Sequence, residues 1–99
     1  MEKEINKLFE ACIADYKKFS FRPEMEKEYV EGLSYKIGKK YIKIISKGSA
    51  WGFINLENPK FKKGDILMAS SWSTPALNKA RGNIFEDYIV QWTGPCYLR

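Results

Sequence analysis

Near the start of the chain, apolar side chains recur at helical spacing. Ile5, Leu8, Phe9, Cys12, Ile13 and Tyr16 fall at i, i+3, i+4, i+7, i+8 and i+11, with Glu and Lys placed elsewhere. Such a stripe predicts an amphipathic helix over residues 1–20 that buries one side. Phe19 extends the stripe. Pro23 stops it, because proline breaks the hydrogen-bond ladder of a helix and pushes Arg22 toward extended geometry.

From about Glu28 the period drops to two. Tyr29, Glu31, Leu33, Tyr35 and Ile37 alternate with Val30, Gly32, Ser34 and Lys36. After the turn "GKK", the run "YIKIISK" sets Tyr41, Lys43, Ile45 and Lys47 on one face and Ile42 and Ile44 on the other. The two runs predict a β-hairpin. "KGSA" turns the chain into a third strand, "WGFINLE", and "ENPKFKKGD" is a loop. "ILMAS" reads as a central strand, "YIVQW" as a fifth and "CYLR" as a short sixth. The expected fold is α+β in one domain, residues 1–99. Its N-terminal amphipathic helix packs on a twisted antiparallel sheet, or a partly rolled barrel, of five to six strands formed within residues 28–99.

The connection "SSWSTPALNKARGN", Ser70 to Asn83, predicts a short helix near residues 75–81. Thr74 suits the N-cap, Pro75 the first helical position and Gly82 the left-handed residue that closes the last turn. Trp72 and Leu77 are its expected anchors into the core. Its start collects the hydroxyls of Ser70, Ser71, Ser73 and Thr74 beside unpaired backbone N–H groups, which attract anions. Trp72 offers a flat surface to a base. Asn78, Arg81 and Asn83 add donors suited to phosphate or base edges.

Charge sharpens this picture. The formal charge is +5, and it is unevenly placed. Residues 1–31 carry six Lys/Arg against eight Asp/Glu, residues 32–63 carry eight Lys against one Glu, and residues 64–99 are balanced. A basic block in the middle third fits an anionic partner or a solvated sheet face. The chain has no histidine and only two cysteines, Cys12 and Cys96. Ser-His and Cys-His nucleophiles are thereby excluded, and a zinc site lacks its usual ligands. Glu86 and Asp87 are adjacent and diverge if extended, so no paired carboxylates are expected. Asp65 reads as a turn residue or an ion-pair partner of Arg81. The expectation is no catalytic residue, no metal and no cofactor. No apolar run approaches the ~20 residues of a membrane span, and the first residues lack a signal-peptide pattern, which predicts a cytosolic protein.

The aromatic residues leave alternatives open. Trp51 and Phe53 alternate on the third strand, either as core beneath the helix or as exposed rings among the lysines, as on sheets that bind single strands. Tyr88, Trp92 and Tyr97 close the sheet or form a patch for a partner or second subunit.

"YKIGKKYIKIISKGSAWGFI", then "KKGDILMASSWSTPALNKARGNIF" and a terminal "WTGPCYL", resemble a family of small bacteriophage proteins. The resemblance covers roughly residues 33 to 98 and is carried by Lys40, Tyr41, Lys43, Gly64, Asp65, Ala69, Ser70, Trp72, Pro75, Ala76, Arg81, Gly82 and Asn83. It implies a phage origin and a place in the infected host's cytoplasm, and it brings no activity with it. The resulting expectation is a non-enzymatic accessory protein that binds nucleic acid or a nucleotide. The site residues would be Lys40, Lys43, Lys47, Ser70, Trp72, Ser73, Thr74, Asn78, Arg81 and Asn83. The alternatives are a module that inhibits or redirects a host enzyme, one of its defences included, and a homodimer joined through the aromatic C-terminal part.

Overall fold

The computed structural model describes residues 2–18, 22–77, 79–86, 88 and 90–95. Helix α1 spans Glu2–Tyr16 and α2 spans Pro23–Glu31. Strands β1 (Leu33–Ile37), β2 (Tyr41–Ser46), β3 (Ser49–Asn55) and β4 (Ile66–Met68) form one antiparallel sheet in the order β1-β2-β3-β4. Strands β5 (Val90–Gln91) and β6 (Gly94–Pro95) form a small second sheet. The fold is α+β, as the sequence predicts. Among the described residues the main sheet is open rather than rolled into a barrel and holds four strands, and the expected sixth strand, residues 96–99, lies outside the described residues.

The α1 stripe is buried as its spacing requires: Ile5, Leu8, Cys12 and Tyr16 are in the core. They meet Ile42 and Ile44 of β2, Ile54 of β3 and Ile66 of β4, together with Trp51, Ile84 and Val90. Alternation along the strands puts the isoleucines on one face and Tyr41, Lys43, Phe53 and Leu67 on the other. Phe53 and Leu67 are buried too, but on that second face, outside the cluster under α1. Trp51 is core, its indole N–H donating to the Gln91 carbonyl at 2.9 Å. Of the two readings left open for Trp51 and Phe53, burial is the one observed, although only Trp51 joins the cluster that includes α1.

Two elements differ from expectation. Residues 23–31 are helical, whereas alternation from Glu28 predicts strand. Pro23 begins a helix here, at the position where its missing N–H costs nothing, and Glu24 and Glu26 sit in the first turn where the dipole favours them. Tyr29 decides the matter by packing. Its ring stacks on Tyr16 at 4.4 Å between centroids, both rings meet Trp92 edge-on, and its hydroxyl donates to the Trp92 carbonyl at 3.3 Å.

The second difference is the connection after β4. No helix forms among the described residues of 75–81. Residues 74–77 and 79–84 instead form an arm that bonds to β4 at two places: Ala76 N–H donates to Met68 O at 2.7 Å, and further on Arg81 N–H donates to Ile66 O at 2.7 Å, Ile66 N–H to Gly82 O at 2.8 Å and Ile84 N–H to Gly64 O at 2.9 Å. Pro75 bridges Ala69 and Asn83 bridges Asp65. A two-turn helix is marginal by itself, and it would leave the β4 edge unpaired. The anchors change accordingly. Trp72 is 50% exposed and Leu77 40% exposed, while Pro75 is buried.

Two tight places hold this layout. A Cβ on Gly52 would lie 2.8 Å from the Leu67 carbonyl and 2.9 Å from Pro95 Cγ, so β3 needs glycine where β6 crosses it. Gly64 has φ +90°, and a Cβ there would sit 2.6 Å from the Phe85 ring. Gly64→Ala is expected to cost about 1–3 kcal/mol, the range of a strained left-handed residue, read as a lower urea midpoint with unchanged slope.

Burial pushes the Cys12 thiol up to about 12 and raises the Tyr29 hydroxyl as well. The folded state therefore keeps these protons where the unfolded chain loses them. Stability is complete below about pH 8.5, the ordinary thiol value, and falls as pH rises toward 12, by up to ~1.4 kcal/mol per pH unit for the thiol. Denaturant midpoints measured between pH 7 and 10.5 should show the decline, and Cys12→Ala should flatten it.

Candidate nucleic-acid interface

The lysines of the basic block converge at one end of the sheet. The β1–β2 turn carries Lys39 and Lys40, and the β3–β4 loop carries Lys60, Lys62 and Lys63. The Lys40 carbonyl accepts from Leu56 N–H at 2.8 Å and from Glu57 N–H at 3.2 Å, which ties the turn to the loop. Buried Asn55 organises the loop: its amide donates to the Asn58 and Lys62 carbonyls at 3.0 and 3.1 Å, and its oxygen accepts from Asn58 N–H at 3.0 Å. Asn58 Nδ2 in turn donates to the Tyr41 hydroxyl at 2.8 Å. The Lys60 ammonium donates to the Leu77 carbonyl, joining loop and arm.

On the second face of the sheet, the arm brings Trp72 over β2. Lys43 Nζ lies 4.0 Å from the centre of the Trp72 ring. Beside this pair is a groove of about 300 Å³ lined by Lys36, Ile37, Tyr41, Lys43, Phe53 and Ser73, with Gly38 at its rim. Lys36 and Lys43 are paired across β1 and β2, so their side chains share this face. Tyr41 meets Phe53 edge-on at 6.0 Å and forms an aromatic wall. The groove thus combines two ammonium groups, an aromatic wall and a serine hydroxyl, with the half-exposed indole beside it.

The expected site residues divide into separate places. Lys43, Trp72 and Ser73 come together here, and Lys40 lies exposed in the adjoining turn. Lys47 does not join them. The left-handed turn at Lys47 (φ 50°), just past the end of β2, carries it to the helix side, where Nζ lies 5.7 Å from the Tyr16 ring. Ser70 and Thr74 close the turn of the arm: the Thr74 carbonyl accepts from the Ser70 N–H, the Ser71 N–H and the Ser70 hydroxyl. Their expected place at a helix N-terminus falls with the helix. Asn78 lies outside the described residues.

Arg81 and Asn83 do not line the groove. Arg81 Nε donates to the Lys79 carbonyl at 3.2 Å. Asn83 is buried, and its amide donates to Lys63 O at 3.0 Å and to Asp65 Oδ1 at 2.9 Å, while its oxygen accepts from Phe85 N–H at 2.9 Å. Asn83 holds the arm to the β4 start and has no spare donor for a ligand. Lys36, Ile37, Gly38, Tyr41 and Phe53 line the groove without being among the expected site residues. The pairing of Lys36 with Lys43 in the hairpin register was the available signal.

A larger hollow, about 1060 Å³, lies elsewhere, between the start of α1 and Ile84–Phe85. Its charged lining mixes Glu2, Glu4 and Glu10 with Lys3 and Lys7, which suits no anion. Among the described residues, no three His, Cys, Asp or Glu side chains come together as metal ligands, and no helix is long and apolar enough to cross a membrane. Searches of protein-family models, curated proteins and solved structures return no match to the chain.

Replacing Asn83 with Ala removes an amide that serves one carbonyl acceptor, one carboxylate acceptor and one backbone donor. We expect it to destabilise the fold by roughly 2–4 kcal/mol, the cost of stranding buried polar groups. Chemical denaturation measures this directly, and Ser73→Ala, on the exposed rim, should leave the midpoint within about 0.5 kcal/mol of the parent.

Proposed function

We propose that the chain binds a single-stranded nucleic acid, or the nucleotide unit of one, in the groove beside Trp72, without carrying out a reaction on it. The observation that carries this reading is the Lys43 ammonium 4.0 Å above a tryptophan ring that is 50% exposed, at the lysine-rich end of the sheet. A base stacks on the open part of the indole, and phosphates are drawn past Lys36, Lys43, Lys39 and Lys40. The groove's volume suits one nucleotide unit rather than a duplex. Because Trp51 and Phe53 are buried, Trp72 provides the stacking surface. Arg81 and Asn83 are outside the proposed contacts. The likeness to small phage proteins suggests the setting, the cytoplasm of an infected bacterium.

Titration of oligo(dT), oligo(rU) and ATP over a salt series tests the proposal. Binding of oligo(dT) should weaken with salt by about 0.7 log units per log unit for each phosphate neutralised, and Lys43→Ala should lower that slope by about one such step. Trp72→Ala should weaken binding at least tenfold, since stacking on an aromatic ring is worth ~1–3 kcal/mol per base. Arg81→Ala should change it less than twofold. Absence of binding to all three probes at low salt would overturn the reading, as would binding indifferent to Trp72.

A further inference from the structure

The two edges of the main sheet are treated differently. The arm covers β4 with backbone hydrogen bonds, whereas β1 borders only β2. The phase of the β1–β2 ladder is fixed at both ends. Gly38 N–H donates to Tyr41 O at 2.8 Å, and Lys47 N–H donates to Gly32 O at 3.1 Å. Residues 32, 34, 36 and 38 therefore point their backbone groups inward to β2. Leu33, Tyr35 and Ile37 point their N–H and C=O groups outward. Among the described residues nothing accepts from or donates to these outward groups.

The side chains at this edge carry a two-sided pattern. Leu33, Tyr35 and Ile37 face the helix side, where Tyr35 packs against Phe9 and Ile37 is 69% exposed. Ser34 and Lys36 face the other side, and Lys36 stands opposite Lys43. Residues 33–46 hold four lysines and no acidic residue. Exposed, hydrogen-bond-ready edges invite strand addition, and native folds usually block them.

We infer that β1 is a docking edge for an extended acidic segment of another protein. The segment adds as an outer strand, its backbone bonded to Leu33, Tyr35 and Ile37, with apolar side chains on the Tyr35–Ile37 side alternating with Asp or Glu on the Lys36–Lys43 side. Charge selects this occupant. A second copy of the chain brings only Ser34 and Lys36 to the lysine side, adding positive to positive. The docking is distinct from nucleotide binding in its use of the backbone edge, although Lys36 and Ile37 border both.

The probe is an acetylated octapeptide of alternating Glu and Val, labelled for anisotropy, with a block-ordered Glu/Val peptide and an alternating Lys/Val peptide as controls. The alternating acidic peptide should bind and slow amide exchange at Leu33, Tyr35 and Ile37, leaving Ser34 and Lys36, already bonded to β2, little changed. Lys36→Glu should weaken it about tenfold and let the Lys/Val peptide bind instead. Ile37→Pro removes an outward N–H without touching the β2 ladder and should weaken binding with thermal stability retained, proline being tolerated at strand edges. Trp72→Ala should leave peptide affinity within twofold while weakening oligo(dT) binding at least tenfold, which separates the two sites. Equal binding of the block-ordered peptide, no odd-residue protection, or loss of peptide binding with Trp72→Ala overturns the inference. Concentration-dependent protection of the same amides without peptide, accompanied by a doubled mass, also overturns it and assigns the edge to a second copy.

Discussion

The backbone hydrogen bonds that tie β4 to the arm, at Ala76 and again at Arg81 to Ile84, govern the rest of the molecule. They give β4, only three residues long, a partner on its second side. They also fix where the arm turns, and the Ser70–Thr74 turn carries Trp72 to Lys43. At its far end Asn83, Asp65 and Gly64 lock the arm to the start of the strand, with Phe85 closing over the glycine. The residues that looked most like ligand donors are therefore split. Asn83 is spent on the ladder, and the indole is the part left to the solvent.

The two faces of the sheet do different work. One is sealed by α1 and by a trio of rings, Tyr16, Tyr29 and Trp92, that joins both helices to the turn after β5. Asp15 completes that joint by accepting from Trp92 N–H at 3.0 Å. The helices also hold most of the chain's carboxylates, so negative charge lies along the sealed side. Lysines dominate the opposite face and one end of the sheet. This separation gives a small domain a directional field, which orients an anionic partner before contact.

The proposed nucleotide groove and the β1 edge share one physical origin. Both exist because the hairpin formed by β1 and β2 projects its lysines on the side that α1 does not cover. Lys36 and Lys43 belong to both by virtue of register alone. The groove is completed by the arm, the edge by the lack of one, and that asymmetry lets a sheet of four strands offer two kinds of surface.

Local pattern was enough for α1, whose stripe is long and strictly spaced, and for the hairpin, where alternation between Ile42, Ile44 and Lys43 can be satisfied in one way only. Charge clustering was likewise readable, because lysines cannot be buried without partners. Short segments were not readable in this way. Residues 28–31 alternate as a strand would yet are helical, and the choice fell to the stacking of Tyr29 on Tyr16, a contact between separate segments of the chain. "TPALNKARG" carries good helix-end signals, yet the unpaired β4 edge offered its backbone more than two isolated turns could. Lys47 left the lysine face because it sits in the left-handed turn that ends β2, which composition does not encode. The sequence by itself thus determined the helix, the hairpin and the location of positive charge, each a matter of neighbouring residues. Only the tertiary structure decided which edge was closed, which tryptophan stayed in water and which lysines met, because those outcomes depend on hydrogen bonds and packing between segments far apart in the chain.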